Sequence, residues 1–165
     1  MTDDTQRVWE LMEKFSICMM STWNGQELRV RPMSANLNRE RNEICFLTDM
    51  RWHADDEIAK YPKLALSFAD NGDQKYVAVS GRGAISNDRG RIKELFSIPA
   101  KAWWESADDP NIRLLIVTPV AAEYWDGRGK VASYSQHGDG RGHGQPSGCR
   151  RKAKSIDGLA WYHAA

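Results

Sequence analysis

The amino-acid sequence predicts a mainly β fold, a small antiparallel barrel with flanking helices. Three observations carry that expectation. About six β-type runs are spread over residues 1–127. Most are joined by short turns containing Asn, Asp or Gly, whereas a parallel crossover needs a dozen residues or more. Helical periodicity is confined to short segments at the start, in the middle and before the last run. Antiparallel strands with few crossovers remove their edges most simply by closing on themselves, which favours a barrel over a layered α/β sheet.

The elements follow in order. Val8, Leu11, Met12 and Phe15 recur at helical spacing after an Asp/Thr start, so residues 5–14 read as a short amphipathic helix. "SICMMST" (16–22) is an apolar β-type run, "WNGQ" (23–26) holds the Asn-Gly of a tight hairpin, and "ELRVRPMSAN" (27–36) alternates as a second strand. A charged turn at 38–42 leads to a third strand, "EICFLT" (43–48), giving three antiparallel strands in sequence. A turn and a helix of about Ala54 to Lys60 follow, then "KLALSFAD" (63–70) and the long run "KYVAVSGRGAIS" (75–86). In that run Tyr76, Ala78, Ser80 and Arg82 point one way and Val77, Val79, Gly81 and Gly83 the other. Glycines inside a strand mark a bulge, a barrel corner or a close approach of another backbone or ligand. "DRGRIKELF" (88–96) is helical, capped by Asn87 or Asp88, and "PAKAWWES" (99–106) adds a helical turn or two. The last strand is "IRLLIVTPVAAEYWDG" (112–127), with Pro119 at an edge or bulge.

A chain of 165 residues that is 41% hydrophobic is long enough for one domain with a real core. We divide it into a barrel domain, 1–127, and a flexible Gly- and basic-rich tail, 128–165. From Asp126 onward seven Lys/Arg face three Asp, or +4, while residues 1–125 hold 16 basic and 19 acidic groups, or −3. The body is thus mildly acidic and the net charge of +1 carries no footprint for nucleic acid or an anionic membrane. There is no run of 18 apolar residues and the N-terminus is acidic and polar, so the expected location is the cytoplasm. Cys18, Cys45 and Cys149 are odd in number and far apart, against both a disulfide framework and a zinc ribbon. Cys18 and Cys45 lie in apolar runs and read as packed thiols.

Motifs for catalysis are sparse. "GDGRGHG" (138–144) fits no phosphate-loop pattern, and His137, His143 and Cys149 match no common metal spacing. The "CRRKAK" segment (149–154) reads as a solvated basic stretch. No nucleophile motif occurs, and His53 reads as a surface or capping residue. Asp55, Asp56 and Glu57 complement the dipole of the helix they open. One constellation remains. Arg29 and Arg31 lie two apart and share a strand face with Met33, either as a solvent-facing pair or as two forks for phosphate or a polar ring edge.

Taken in order, "RVWELMEKFSICMMSTWNGQELRVRPM", "ICFLTDM", "EIAKYPKLALSFAD", "YVAVSGRGAISNDR", "WWESADDPNIRLLIVTP" and "AEYWDG" resemble the flavin-binding split barrels related to pyridoxamine 5'-phosphate oxidase, above all their general stress protein 26 branch. The resemblance implies a six-stranded antiparallel split β-barrel and a homodimer with FMN, or FAD in a wider cleft, in two clefts at the subunit interface. It further implies that Arg31, Pro32 and Met33 run beside the flavin with Arg31 near the phosphate. Leu47 and Thr48 then touch the flavin and its ribityl-phosphate arm, and Trp125 is an aromatic near the cofactor, contributed by the partner subunit. An aromatic over an isoalloxazine suits offset stacking. The function so implied is that of a flavin-binding general stress protein and flavin-dependent oxidoreductase. The alternative is a non-enzymatic stress-associated dimer that binds flavin weakly or not at all.

The resemblance breaks at "TDMRWHA" (48–54). Relatives read Thr, three residues, Ser, one residue, Lys here, and the Ser and Lys help bind phosphate; this chain has Trp52 and Ala54 at those positions. Losing both contacts costs roughly 2–4 kcal/mol if nothing replaces them, or about 30- to 1,000-fold in affinity. The substrate-binding tail of true pyridoxamine-phosphate oxidases is also missing, so that particular activity is not expected.

Overall fold

The computed structural model describes residues 3–97 and 100–127. Helix α1 (Asp3–Met12) buries Val8, Leu11 and Met12, the stripe its periodicity predicts. Strands β1 (Ile17–Trp23) and β2 (Leu28–Ser34) form the expected hairpin, with Ile17 opposite Ser34 and Trp23 opposite Leu28. Its turn uses Asn-Gly as the chemistry requires. Gly25 takes φ 100°, and the Asn24 side-chain oxygen accepts the N–H groups of Gln26 and Glu27 at 2.9 Å each.

The run expected as one strand over 27–36 instead breaks at Ala35, and the chain resumes pairing as β3 (Asn36–Asn38). Strand β4 (Glu43–Asp49) therefore lies beside β3 rather than β2, and the described sheet has seven strands, not six. The remaining elements are α2 (Ala54–Lys60), β5 (Lys63–Asp70), β6 (Lys75–Ser86), α3 (Arg89–Leu95) and β7 (Ile112–Asp126). Two 3₁₀ turns, Met50–Trp52 and Ala100–Ala102, complete the description, the second being tighter than an α-helical turn.

The sheet is antiparallel throughout, in the order β2-β1-β5-β6-β7-β4-β3. That order puts β2 and β3 at opposite edges, yet only Ala35 separates them along the chain. The sheet must therefore curl until its two edges almost meet, and the unlaced seam between β2 and β4 is the split in the barrel. Alternation is clean on β5, where Leu64, Leu66 and Phe68 are buried. The register of β6 against β7 shifts at Ser80/Gly81, next to Pro119. Because β7 lies between β6 and β4, Pro119 sits at a bulge and not at an edge. Gly83 is a close approach, since a Cβ there would lie 2.7 Å from Ile58 Cγ2.

The curled sheet and α1 enclose the main core, in which Phe46, Phe68, Leu66, Leu11 and Ile58 are fully buried. A second core lies on the opposite face of β4 and β7, where Cys45, Ile112 and Leu114 pack with Ile92 and Trp104. Cys18 and Cys45 are buried free thiols as expected, and burial pushes the Cys18 thiol up to about 12. The outer face of β1 and β2 is different. It exposes Ile17, Met19, Trp23, Leu28 and Val30, with Val120 of β7 nearby.

The expectations made for the tail, including His137, His143 and Cys149, lie outside the described residues. Among those described, no helix is long and apolar enough to cross a membrane.

Candidate functional site

The strand period puts Arg29, Arg31 and Met33 on the inner side of β2, and Leu28, Val30 and Pro32 on the outer side. Opposite the arginines stands α2. Its buried residues Ala54 and Ile58 anchor it on the core, and Gly83 leaves room for Ile58. That seat turns Glu57 toward β1 and β2. Arg31 Nη2 donates to Glu57 Oε2 at 2.7 Å and to Thr22 Oγ1 at 3.2 Å. The Thr22 hydroxyl donates to the same Glu57 oxygen at 3.2 Å, and Arg29 Nη1 lies 3.4 Å from Glu57 Oε1. The Glu57 side chain is 9% exposed, Arg31 23% and Arg29 49%. The two arginines are thus neither a loose solvent-facing pair nor fully spent. Among the described residues, Nε and Nη1 of Arg31 have no protein hydrogen bond.

The turn after β4 is held by different chemistry. Asp49 is fully buried, and its carboxylate accepts Arg51 N at 2.9 Å, Arg51 Nε at 2.8 Å and Arg51 Nη2 at 2.5 Å. Trp104 Nε1 donates to Asp49 Oδ2 at 2.9 Å. The Arg51 hydrogen bonds dominate over burial and hold Asp49 at about 2, below the usual carboxylate range. Trp52 is directed at the same group. Its ring lies edge-on to Trp103 at 5.6 Å and tilted against Trp104 at 6.1 Å, so it covers the buried Trp104 from outside. His53 then takes a left-handed φ of 57° and opens α2, where Ala54 faces the core. Among the described residues no cluster of His, Cys, Asp and Glu is arranged to hold a metal.

This curled antiparallel half-barrel, with its seam beside β2 and α2, can be compared with known proteins. A family model described as pyridoxamine 5'-phosphate oxidase like matches residues 3–138. The chain belongs to that family. No curated protein matches it. Among solved structures, general stress protein 26 from Bacillus anthracis str. Sterne superposes with a TM-score of 0.68 at 17% identity, over 74% of this chain and 94% of that one. A protein related to general stress protein 26, of the pyridoxinephosphate oxidase family, from Clostridium acetobutylicum gives 0.65 at 21% identity, over 76% and 91%. The general stress FMN/FAD binding protein of Xanthomonas citri gives 0.66 at 21% identity, over 76% and 90%. At these identities the likeness establishes the split-barrel fold.

Within this pyridoxamine 5'-phosphate oxidase-like frame, the residues singled out from sequence fall into three places. Arg31, Met33 and Thr48 lie on the inner side of the sheet, Met33 packed against the main core and Thr48 buried. Pro32 is exposed on the outer side, while Leu47 points away from Thr48 and packs on the second core. Trp125 lies opposite Tyr76, at the far end of β7 from Arg113, which pairs with Thr48. That is about 40 Å of strand at roughly 3.3 Å per residue, so Trp125 and Thr48 do not share a cleft within one subunit. Two members of the cluster were not singled out from sequence, Thr22 and Glu57. Glu57 lies 26 positions from Arg31 and was legible only as a helix-dipole acid, because its partner comes from another element.

Proposed function

We propose that this chain binds a flavin, FMN or FAD, and serves as a flavin-dependent oxidoreductase of the general stress protein 26 type, working as a homodimer in the cytoplasm. One observation carries the reading: Arg31 is oriented by a nearly buried carboxylate and a hydroxyl while, among the described residues, Nε and Nη1 have no protein hydrogen bond. A half-fixed guanidinium is pre-organised for an anionic group, since less freedom is lost when the ligand arrives. In this reading Arg31 holds the phosphate and the β2 backbone at Pro32 and Met33 faces the ring. Thr48 borders the ribityl arm, with Leu47 contributing only its backbone there, and the partner subunit's Trp125 covers one face. A bound flavin would supply hydride chemistry, and the protein supplies binding, orientation and exclusion of water. The exposed apolar face of β1 and β2, with Leu28 71% and Val30 58% exposed, supports a second copy as the dimer partner.

The second reading, a stress-associated dimer that binds flavin weakly or not at all, is favoured by the turn. Trp52 packs against Trp103 and Trp104, and Ala54 faces the core, so the ammonium and hydroxyl that Lys and Ser would offer phosphate at these two positions are missing. The test is to purify the protein without added cofactor, record its visible spectrum, and titrate FMN and FAD while following flavin fluorescence. Yellow protein or saturation at micromolar flavin supports the first reading. A colourless protein indifferent to about 100 micromolar of either flavin, well above the usual cofactor range, supports the second.

A further inference from the structure

Arg29 is assigned no role by the flavin reading, yet Glu57 draws it to Arg31. The two residues share one side of β2, their backbone positions about 7 Å apart along the strand, and both guanidiniums converge on the Glu57 carboxylate. Each carries five N–H donors in a planar fork, and together they face one buried carboxylate and one hydroxyl. Arg31 uses only Nη2 on Glu57 and Thr22. Arg29 makes two looser approaches, Nη1 to Glu57 at 3.4 Å and Nε to Glu27 at 3.5 Å. Glu27 is 65% exposed, so solvent screens its hold on Arg29. Among the described residues, most donors of the pair therefore have no protein partner. A ligand carboxylate would bring two acceptor oxygens and a single charge, as Glu57 already does. A phosphate monoester brings three acceptor oxygens and up to two charges, which matches two forks better.

We propose that Glu57 holds Arg29 and Arg31 together as a two-guanidinium site for a phosphate monoester, with Arg29 as a second phosphate ligand and Glu57 as the positioning residue. The proposal rests on the flavin reading, in which the monoester is the terminal phosphate of FMN. It adds a source of cationic charge on β2 at a site whose neighbouring turn presents Trp52 and Ala54.

The experiment compares full-length wild type, Arg29→Gln and Glu57→Ala at fixed ionic strength. FMN and riboflavin, which differ only in the phosphate, are titrated by fluorescence, and inorganic phosphate is followed by the shift in Tm. Wild type should bind FMN at least about tenfold more tightly than riboflavin. In Arg29→Gln that ratio should fall about tenfold while riboflavin affinity stays the same. Arg29 is half-exposed on an edge strand, so its replacement spares the core and keeps the test valid if Glu57→Ala unfolds. A folded Glu57→Ala should lower the same ratio, and less so when Arg29 is already Gln; a purely structural role would weaken both flavins equally. A wild-type ratio near one, or a ratio unchanged in Arg29→Gln, overturns the proposal. If neither flavin binds but phosphate raises the Tm of wild type and not of Arg29→Gln, the flavin reading falls and the anion site stands. If nothing binds, both fall.

Discussion

Arg31 and Glu57 meet across 2.7 Å, joining an edge strand to a seven-residue helix that follows it by two strands and a turn. The contact is mostly buried and Thr22 completes it, so it both ties α2 to the sheet and orients a guanidinium beside the seam.

Arg31→Ala removes the shorter of the two ion pairs to Glu57 and leaves Arg29 at 3.4 Å as its remaining cation. A buried carboxylate that loses such a partner destabilises the fold, here by roughly 1–3 kcal/mol because the site keeps some solvent access. Urea unfolding should show a lower midpoint with an unchanged slope. A midpoint equal to wild type would mean that the pair adds nothing.

Asp49 predicts the acid limb of stability. Its carboxyl is held at about 2 by Arg51, with Trp104 assisting, against about 3.9 in an unfolded chain. A depressed folded value means that the contribution is complete above about pH 4 and is lost as pH falls toward 2. It amounts to roughly 2–3 kcal/mol at most, reduced by solvent screening because Arg51 is largely exposed. The stability gap between wild type and Asp49→Asn should therefore be larger at pH 6 than at pH 2.5. A gap independent of pH would refute the linkage.

Gly83→Ala tests the seat of α2. The added methyl would lie 2.7 Å from Ile58 Cγ2 and 3.0 Å from both Leu64 Cδ2 and Leu115 Cδ1, three groups of the main core. Overpacking of this kind costs about 1–3 kcal/mol. Calorimetry should show a lower Tm, and because α2 carries Glu57, phosphate or flavin binding should weaken as well. Unchanged Tm would show that the helix shifts freely.

The outer face predicts the assembly. Val30→Asp puts a charge on an exposed strand position that belongs to neither core cluster, so a monomer should tolerate it. Sedimentation should report a dimer for wild type and a monomer for Val30→Asp. Wild type sedimenting as a monomer at tens of micromolar would remove the dimer from the proposal.

Much of this fold was legible along the chain, because local chemistry governs it. Asn24-Gly25 specified the hairpin, the run from Lys63 to Asp70 read as a strand, and Gly81 with Pro119 left a bulge among the alternatives, which the register of β6 on β7 selects. The face shared by Arg29 and Arg31 follows from the two-residue period alone. By itself, then, the sequence determined the fold class, the hairpin, the core thiols and the candidate guanidiniums. Only the tertiary structure decided what those guanidiniums meet. The break at Ala35, which moves β4 from beside β2 to a place between β7 and the far edge strand β3, has no strong local signal; it is set by how the sheet curls. The pairing of Arg31 with Glu57, and of Trp52 with Trp103 and Trp104, spans elements whose approach depends on packing such as Ile58 over Gly83. Side-chain periodicity acts over a few residues, whereas these contacts form only once the curled sheet has brought distant segments together.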